Sequence, residues 1–244
     1  MAERTAGART ALGVLVGAIS AVLVAVWLVA VGAPASGESA AERCFGRVPT
    51  IVGTEGADEI VGTGGADVIW ASGGNDSVEG MGGDDRICGG DGDDFLSGGD
   101  GDDRIDGGPG NDGVYGRDGD DLELGGPGDD ELTGGGGDAG ADDLRGGPGD
   151  DYLLGQNGPD HLAGGPGDDV LQGDGDDDRE NGGPGDDLVT GDMGNDVLIG
   201  GEGDDHIFGN DSDDVLDGEG GYDTLNGGYG GDSCENGESV VACE

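Results

Sequence analysis

From Gly53 to Glu235 the chain carries one aliphatic residue about every nine positions, set between short runs of glycine and aspartate. The stretch Gly89-Gly90-Asp91-Gly92-Asp93-Asp94-Phe95-Leu96-Ser97 shows the unit: six residues with turn chemistry, then three that read as strand, with Leu96 as the apolar position. An apolar period of nine fits neither the stripe of an amphipathic helix nor the alternation of a half-buried strand. It predicts a chain that turns, lays down a very short strand, and turns again. Two units then complete one coil. Units n and n+2 stack as neighbours in one parallel sheet, so odd and even units form two facing sheets. The expected fold is all-β, a parallel β-roll or β-helix solenoid of about twenty nonapeptide repeats. At a strand spacing of about 4.8 Å, ten coils make a prism about 45–50 Å long.

Phasing gives twenty units, of which the tenth, Gly134 to Arg145, has twelve residues and predicts a bulged turn. The eighth position is aliphatic in seventeen units, and the exceptions are Glu123, Glu180 and Cys234. One sheet should bury the series from Ile60 through Leu96 and Leu153 to Leu225. The other should bury Ile69, Ile87, Ile105, Glu123, Leu144, Leu162, Glu180, Leu198, Leu216 and Cys234. Glu123 lies between Leu122 and Leu124, so a slip of one residue would restore an inward leucine. The segment Asp178-Arg179-Glu180-Asn181 has no apolar residue. Its unit, 173–181, is expected to be the weakest of the array, and a break there is open.

Before the repeats, Arg4 and Arg9 precede a continuous apolar run from Ala11 to Val31, followed by Ala33-Pro34-Ala35. This is the pattern of a secretory signal peptide ending at residue 35. The run also has the length of a membrane span, so an uncleaved anchor is the competing reading. Either way the rest of the chain is expected outside the cytosol, secreted or held on the outer face of the membrane. Residues 36–52 read as a linker and N-terminal cap, 53–235 as the roll, and 236–244 as a C-terminal cap.

Composition sharpens this reading. The 244 residues include 63 glycines and 56 acidic against 9 basic residues, for a net charge of −47. Such a chain would ordinarily be disordered, having too little apolar surface to offset its entropy. Stacked repeats are the exception, because each unit buries its face on its neighbours. The charge argues against nucleic acid and anionic membrane surfaces as partners, and for cations. A membrane enters only through an uncleaved leader.

The sixth position is aspartate in all twenty units: Asp58, Asp67, Asp76, Asp85, Asp94, Asp103, Asp112, Asp121, Asp130, Asp142, Asp151, Asp160, Asp169, Asp178, Asp187, Asp196, Asp205, Asp214, Asp223 and Asp232. The glycines permit positive φ, so turn carbonyls can converge beside each carboxylate. Oxygen-only donors suit Ca²⁺, whereas Zn²⁺ would take Cys or His. Only two histidines are present, His161 and His206, both at the outward seventh position. Stacking brings each Asp near the one two units on, which is unfavourable without a cation between them. Ten turns on each side leave nine gaps, so about 18 calcium ions is the upper bound.

These units resemble the repeats-in-toxin nonapeptide, Gly-Gly-x-Gly-x-Asp-x-aliphatic-x, of the haemolysin-type calcium-binding family. The resemblance covers residues 53–235. It implies a parallel β-roll that folds when calcium binds between adjacent turns, with the twenty phased Asp side chains and the turn carbonyls as ligands. Secreted toxins, proteases and lipases of that family carry a C-terminal secretion segment and an effector domain. Here nine residues follow the last repeat. A toxin or enzyme activity is therefore not expected.

Four cysteines in an exported chain predict disulfides. Cys234 and Cys243 are nine apart, which would set both at the inward position across a tapering end. Cys44 with Cys88 follows by elimination and would staple the N-terminal cap, whose own inward residue is Ile51. The first acid of each Asp-Asp pair, such as Asp93, Asp102, Asp129 or Asp168, recurs too often for acid–base chemistry and reads as a solvated turn. Thr54 and Thr63 begin a threonine row at the second position that goes no further. The sequence thus points to an extracellular calcium-binding roll with a structural or interaction role. The alternative is a calcium-dependent adhesin holding a cell-surface glycan or protein, and an enzyme on the roll is the remote reading.

Overall fold

The computed structural model describes residues 43–137 and 140–243. The leader, with its signal-or-anchor alternatives, lies outside the described residues. Those described form two parallel sheets of eleven strands each and no helix. Chain neighbours always fall in opposite sheets, and each strand pairs with the one two places away. The aliphatic eighth positions stack in register at eighteen-residue intervals, as in Leu96 with Val114 and Ile87 with Ile105. The core is these two facing columns, buried from Ile60 to Leu225. Ile51, in register with Ile69, packs half-buried against one column, whereas Val240, in register with Leu225, is exposed. The twelve-residue unit keeps the register: Leu144 pairs with Glu123 on one side and Leu162 on the other.

One expectation is corrected and two points left open by the sequence are resolved. Most strands have six residues rather than three. Phe95–Asp100, for example, continues through the Gly-Gly pair of the following unit, leaving only positions four to six to turn. Between the first and last coils, strands of three residues remain at Arg104–Asp106, Leu122–Leu124, Asp143–Arg145 and His161–Ala163, each followed by Gly-Gly-Pro, and three-residue strands also stand near the ends at Glu59–Val61, Ser233–Glu235 and Ser239–Val241. Proline offers no N–H to the ladder and shortens it. Arg179–Pro184 is the exception and runs through its proline. Second, the strand at Glu123 does not slip. Glu123 stays inward between Ile105 and Leu144, because a slip would break backbone register with both neighbours. Third, unit 173–181 does not break the roll. Glu180 pairs with Leu162 and Leu198 and is buried.

Both disulfides form, Cys44–Cys88 and Cys234–Cys243, with Cα atoms 5.7 and 5.9 Å apart. Cys44 is buried and ties the N-terminal cap to the strand Arg86–Asp91. The C-terminal bridge has a different geometry from the one expected. The last coil is shortened, so Val240 rather than Cys243 takes the position in register with Leu225. The bridge closes a local loop instead of spanning two inward positions.

Stacking at this spacing constrains the turns. At Gly110, φ is +146°, and a Cβ there would sit 2.0 Å from the carbonyl oxygen of Gly92 in the preceding coil. Gly64 has open space instead. Gly110→Ala is expected to destabilise the folded roll by about 3 kcal/mol or more, combining strain and overlap. Gly64→Ala should stay within about 0.5 kcal/mol. Calcium-saturated thermal unfolding of the two variants measures the contrast.

Candidate metal centre

The phased aspartates form two columns, one along each edge of the roll where the turns stack. Within a column each Asp accepts a hydrogen bond at Oδ1 from the backbone N–H of the Asp one coil earlier. Asp76 N–H donates to Asp94 Oδ1 at 2.8 Å, and Asp94 N–H to Asp112 Oδ1 at 2.8 Å. The other column runs the same way, as in Asp85 to Asp103 and Asp103 to Asp121, both 2.7 Å. The insertion in the twelve-residue unit does not interrupt it, since Asp121 N–H still reaches Asp142 Oδ1 at 2.8 Å. The strand beyond each turn is tied back in turn, as where Phe95 N–H donates to the Asp76 carbonyl at 2.8 Å. The aspartates are thus structural residues first: each orients the turn beneath it.

The second carboxylate oxygen is what this ladder leaves over. In seventeen of the columns' aspartates, among them Asp76, Asp94, Asp103, Asp121, Asp160 and Asp205, Oδ2 is buried and accepts no hydrogen bond. A buried carboxylate oxygen without a donor is costly. All of these oxygens except that of Asp76, whose unit opens on the buried Ala71, pack against the first glycine of their own unit: a Cβ at Gly89 would lie 2.2 Å from Asp94 Oδ2 and 2.6 Å from the Gly107 carbonyl oxygen of the next coil. Carbonyls and carboxylate therefore converge beside a position that is glycine in every unit but one, where Ala71 stands. The donor set is all oxygen, part side chain and part main chain. Among the described residues no three His, Cys, Asp or Glu side chains make a closed metal-binding group, so main-chain oxygens must complete any site. His161 and His206 are exposed, and no cysteine described is free. This set fits Ca²⁺, which tolerates high oxygen coordination and irregular geometry, and does not fit Zn²⁺. Calcium bound there would supply the positive charge that the stacked carboxylates lack.

Some of the phased aspartates stand apart. Thr54 and Thr63 each donate through both backbone N–H and hydroxyl to Oδ2 of Asp58 and Asp67, at 2.6–2.8 Å. These two carboxylates are satisfied from within the protein, so the threonine row is a local cap on the first turns. At the other end Glu238 accepts the Asp223 N–H at 2.8 Å and extends one column. The nine-residue phase hides it, because the last coil is shortened and the longer side chain makes up the reach. The fifth-position acids form a second, exposed ladder of the opposite sense. Asn111 N–H donates to Asp93 Oδ1, and Asp168 N–H to Asp150 Oδ1, at 3.1 and 3.0 Å. Those acids hold turns together in water.

Burial raises the column carboxyls, with repulsion from stacked neighbours adding and the hydrogen bond from the adjoining coil opposing. Asp94 is pushed up to about 6, Asp103 to about 7, and Asp121 and Asp178 to about 8. Inside the core, burial drives Glu123 and Glu180 well above the ordinary glutamate range, and neighbouring column aspartates push the same way. The sign for stability follows. An acid whose folded pKa exceeds its unfolded value imposes no penalty below about pH 4 and disfavours folding increasingly as pH rises through the folded pKa. In metal-free buffer, β-structure should therefore be greatest near pH 4 and fall between about pH 4 and 8. Circular dichroism reads this directly, and β-structure that grows with pH without metal would contradict it. A second expectation separates the two oxygens. Asp112→Asn can keep the acceptor for Asp94 N–H while losing the charge, so it should weaken calcium uptake and spare the metal-free acid fold. Asp112→Ala removes both and should cost that fold about 1–3 kcal/mol as well.

The sequence profile of the RTX calcium-binding nonapeptide repeat matches residues 52–87, 89–123, 124–138, 137–158, 154–189 and 190–225. No curated protein matches the chain. The matches cover most of the 244 residues, and they coincide with the stacked aspartate turns. The chain belongs to the RTX calcium-binding nonapeptide repeat family.

Proposed function

We propose that this protein is an extracellular calcium-binding β-roll whose folding is completed by calcium, with the phased aspartates and turn carbonyls as its ligands and a structural or partner-holding role. The observation that carries the reading is the repeated buried Oδ2 atom without a donor. Without a cation, each coil adds another unsatisfied carboxylate to an already anionic stack. With one between coils, the same oxygens become the adhesive. The two disulfides suit an oxidising compartment, as does the apolar run from Ala11 to Val31 read as an export leader. Calcium in such compartments matches sites of about 0.1–1 mM affinity. The function is mechanical: a chain exported as a flexible polyanion becomes a rigid rod where calcium is available.

An adhesin reading has one observation in its favour. On the outer face Phe95 and Tyr115 pack with ring centroids 4.9 Å apart, and the Arg117 guanidinium lies 5.7 Å from the Tyr115 centroid. Gly113, in register between Phe95 and Glu131, gives these rings room. An aromatic pair beside an arginine on a flat sheet suits a sugar ring or a peptide. Glycan-array binding with and without calcium distinguishes a partner-specific role from a purely structural one.

The test of the main reading is a titration of the full-length protein with Ca²⁺ and, separately, Mg²⁺ at neutral pH, followed by circular dichroism. Coil should convert to β-structure at about 0.1–1 mM Ca²⁺, and Mg²⁺ should do far less because it demands tight octahedral geometry. Full β-structure in chelator at neutral pH would overturn the calcium-dependent folding.

A further inference from the structure

The core contains two side chains that the repeat does not explain. At Glu123 and Glu180 the inward aliphatic residue is replaced by a carboxylate that is 0 % and 2 % exposed. None of the four carboxylate oxygens has a hydrogen bond of normal geometry, although the Gly116 backbone N–H lies toward Glu123 and those of Gly173 and Thr190 toward Glu180, too poorly aligned to satisfy them. Neither glutamate is tolerated by slippage or distortion, since both stay in register with aliphatic neighbours on either side.

Both glutamates point to the same kind of place. In ordinary units the space beside the first glycine is walled by the column Asp and, as at Gly89 and Gly164, by a main-chain carbonyl of the next coil, with no second carboxylate. At Gly80, a Cβ would meet Asp85 Oδ2 at 2.4 Å and Ile87 Cδ1 at 3.2 Å. At Gly116 the same point lies 2.3 Å from Asp121 Oδ2 and 2.4 Å from Glu123 Oε1. At Gly173 it lies 2.2 Å from Asp178 Oδ2 and 2.7 Å from Glu180 Oε1. The two units are 57 residues apart in sequence (Gly116 and Gly173) and build the same paired-carboxylate arrangement independently. Two buried carboxylates converging beside a glycine, with no Arg or His of the described residues in an ion pair with them, repel each other when ionised, and a cation between them would remove that repulsion.

We propose that Glu123 with Asp121, and Glu180 with Asp178, form two special divalent-cation sites in which a core glutamate joins the aspartate column and binds calcium more tightly than the other turns do. This rests on the calcium reading above. Each site has one more carboxylate than an ordinary turn, and the added ligand is preorganised by the surrounding core. Charge count and rigidity are the levers that tighten calcium sites. The coils that are poorest in apolar contacts thereby become the most firmly pinned when metal is present. They also sit well inside the array, where a first-bound ion would hold neighbouring coils in register for the rest to fill.

The test counts retained ions. Full-length protein is loaded with calcium chloride, dialysed against a chelating buffer set to strip ordinary turns, and assayed for bound calcium by atomic emission. The wild type should retain two ions, Glu123→Leu and Glu180→Leu one each, and the double variant none. Glu123→Gln and Glu180→Gln, which keep size but lose charge, should weaken the corresponding ion by about tenfold or more. Leucine restores the residue type found in neighbouring units, so the variants are expected to fold. If the wild type binds calcium but the variants retain the same ions with the same affinity, the glutamates are neutral acids sharing protons with the adjacent aspartates. The special sites are then overturned while the calcium reading stands. If the wild type takes up no calcium at any concentration, both fail.

Discussion

The constraint on which everything else depends is the division of labour within one carboxylate. Oδ1 of each column aspartate is committed to the backbone N–H of the preceding coil, at 2.7–3.0 Å from Asp58 to Asp232. That bond fixes where the carboxylate sits, and so places Oδ2 in a buried position beside a glycine. Repetition turns a local cost into a global one. One orphaned oxygen is a tolerable defect in a folded protein, but one per turn along two columns is not. The hydrophobic term is too small to absorb it, since each unit contributes a single aliphatic side chain to the core. On the calcium reading proposed above, the ion takes the part in this fold that a larger core takes in others.

Most of this was legible in the chain because the repeat is redundant. A period of nine with one aliphatic position fixed the two sheets, the coil of two units and the inward column from Ile60 to Leu225. The twelve-residue unit did not disturb the ladder, since Asp142 keeps its rung. What the period concealed was anything depending on hydrogen-bond direction. Strand length was underestimated because Gly-Gly has no strand propensity of its own and is extended here by ladder bonds to neighbours on both sides. The Thr54 and Thr63 caps were missed because they depend on hydroxyl geometry at a position that is usually glycine. Glu238 and Val240 were missed because the last coil loses three residues relative to the period, as Leu225 pairs fifteen rather than eighteen residues on.

The two core glutamates show the limit of reading a pattern violation as a weakness. By hydropathy they are defects, and the sequence left open a slip at Glu123 and a break at unit 173–181. The sheet instead keeps them in place, because eleven strands in register hold each rung more strongly than one polar side chain can shift it. A buried charge is then either neutralised or matched. Both the proton and the cation are available answers, and pH and calcium act on the same oxygens in opposite senses.

The most direct measurement is a crystal structure of the calcium-loaded protein with anomalous differences collected to locate the ions. The account predicts two lines of calcium along the turn edges, each ion about 2.3–2.6 Å from a column Oδ2 such as that of Asp94 or Asp103. Ions found only on the exposed fifth-position ladder at Asp93, Asp129 and Asp168, with the buried Oδ2 atoms still bare, would contradict it.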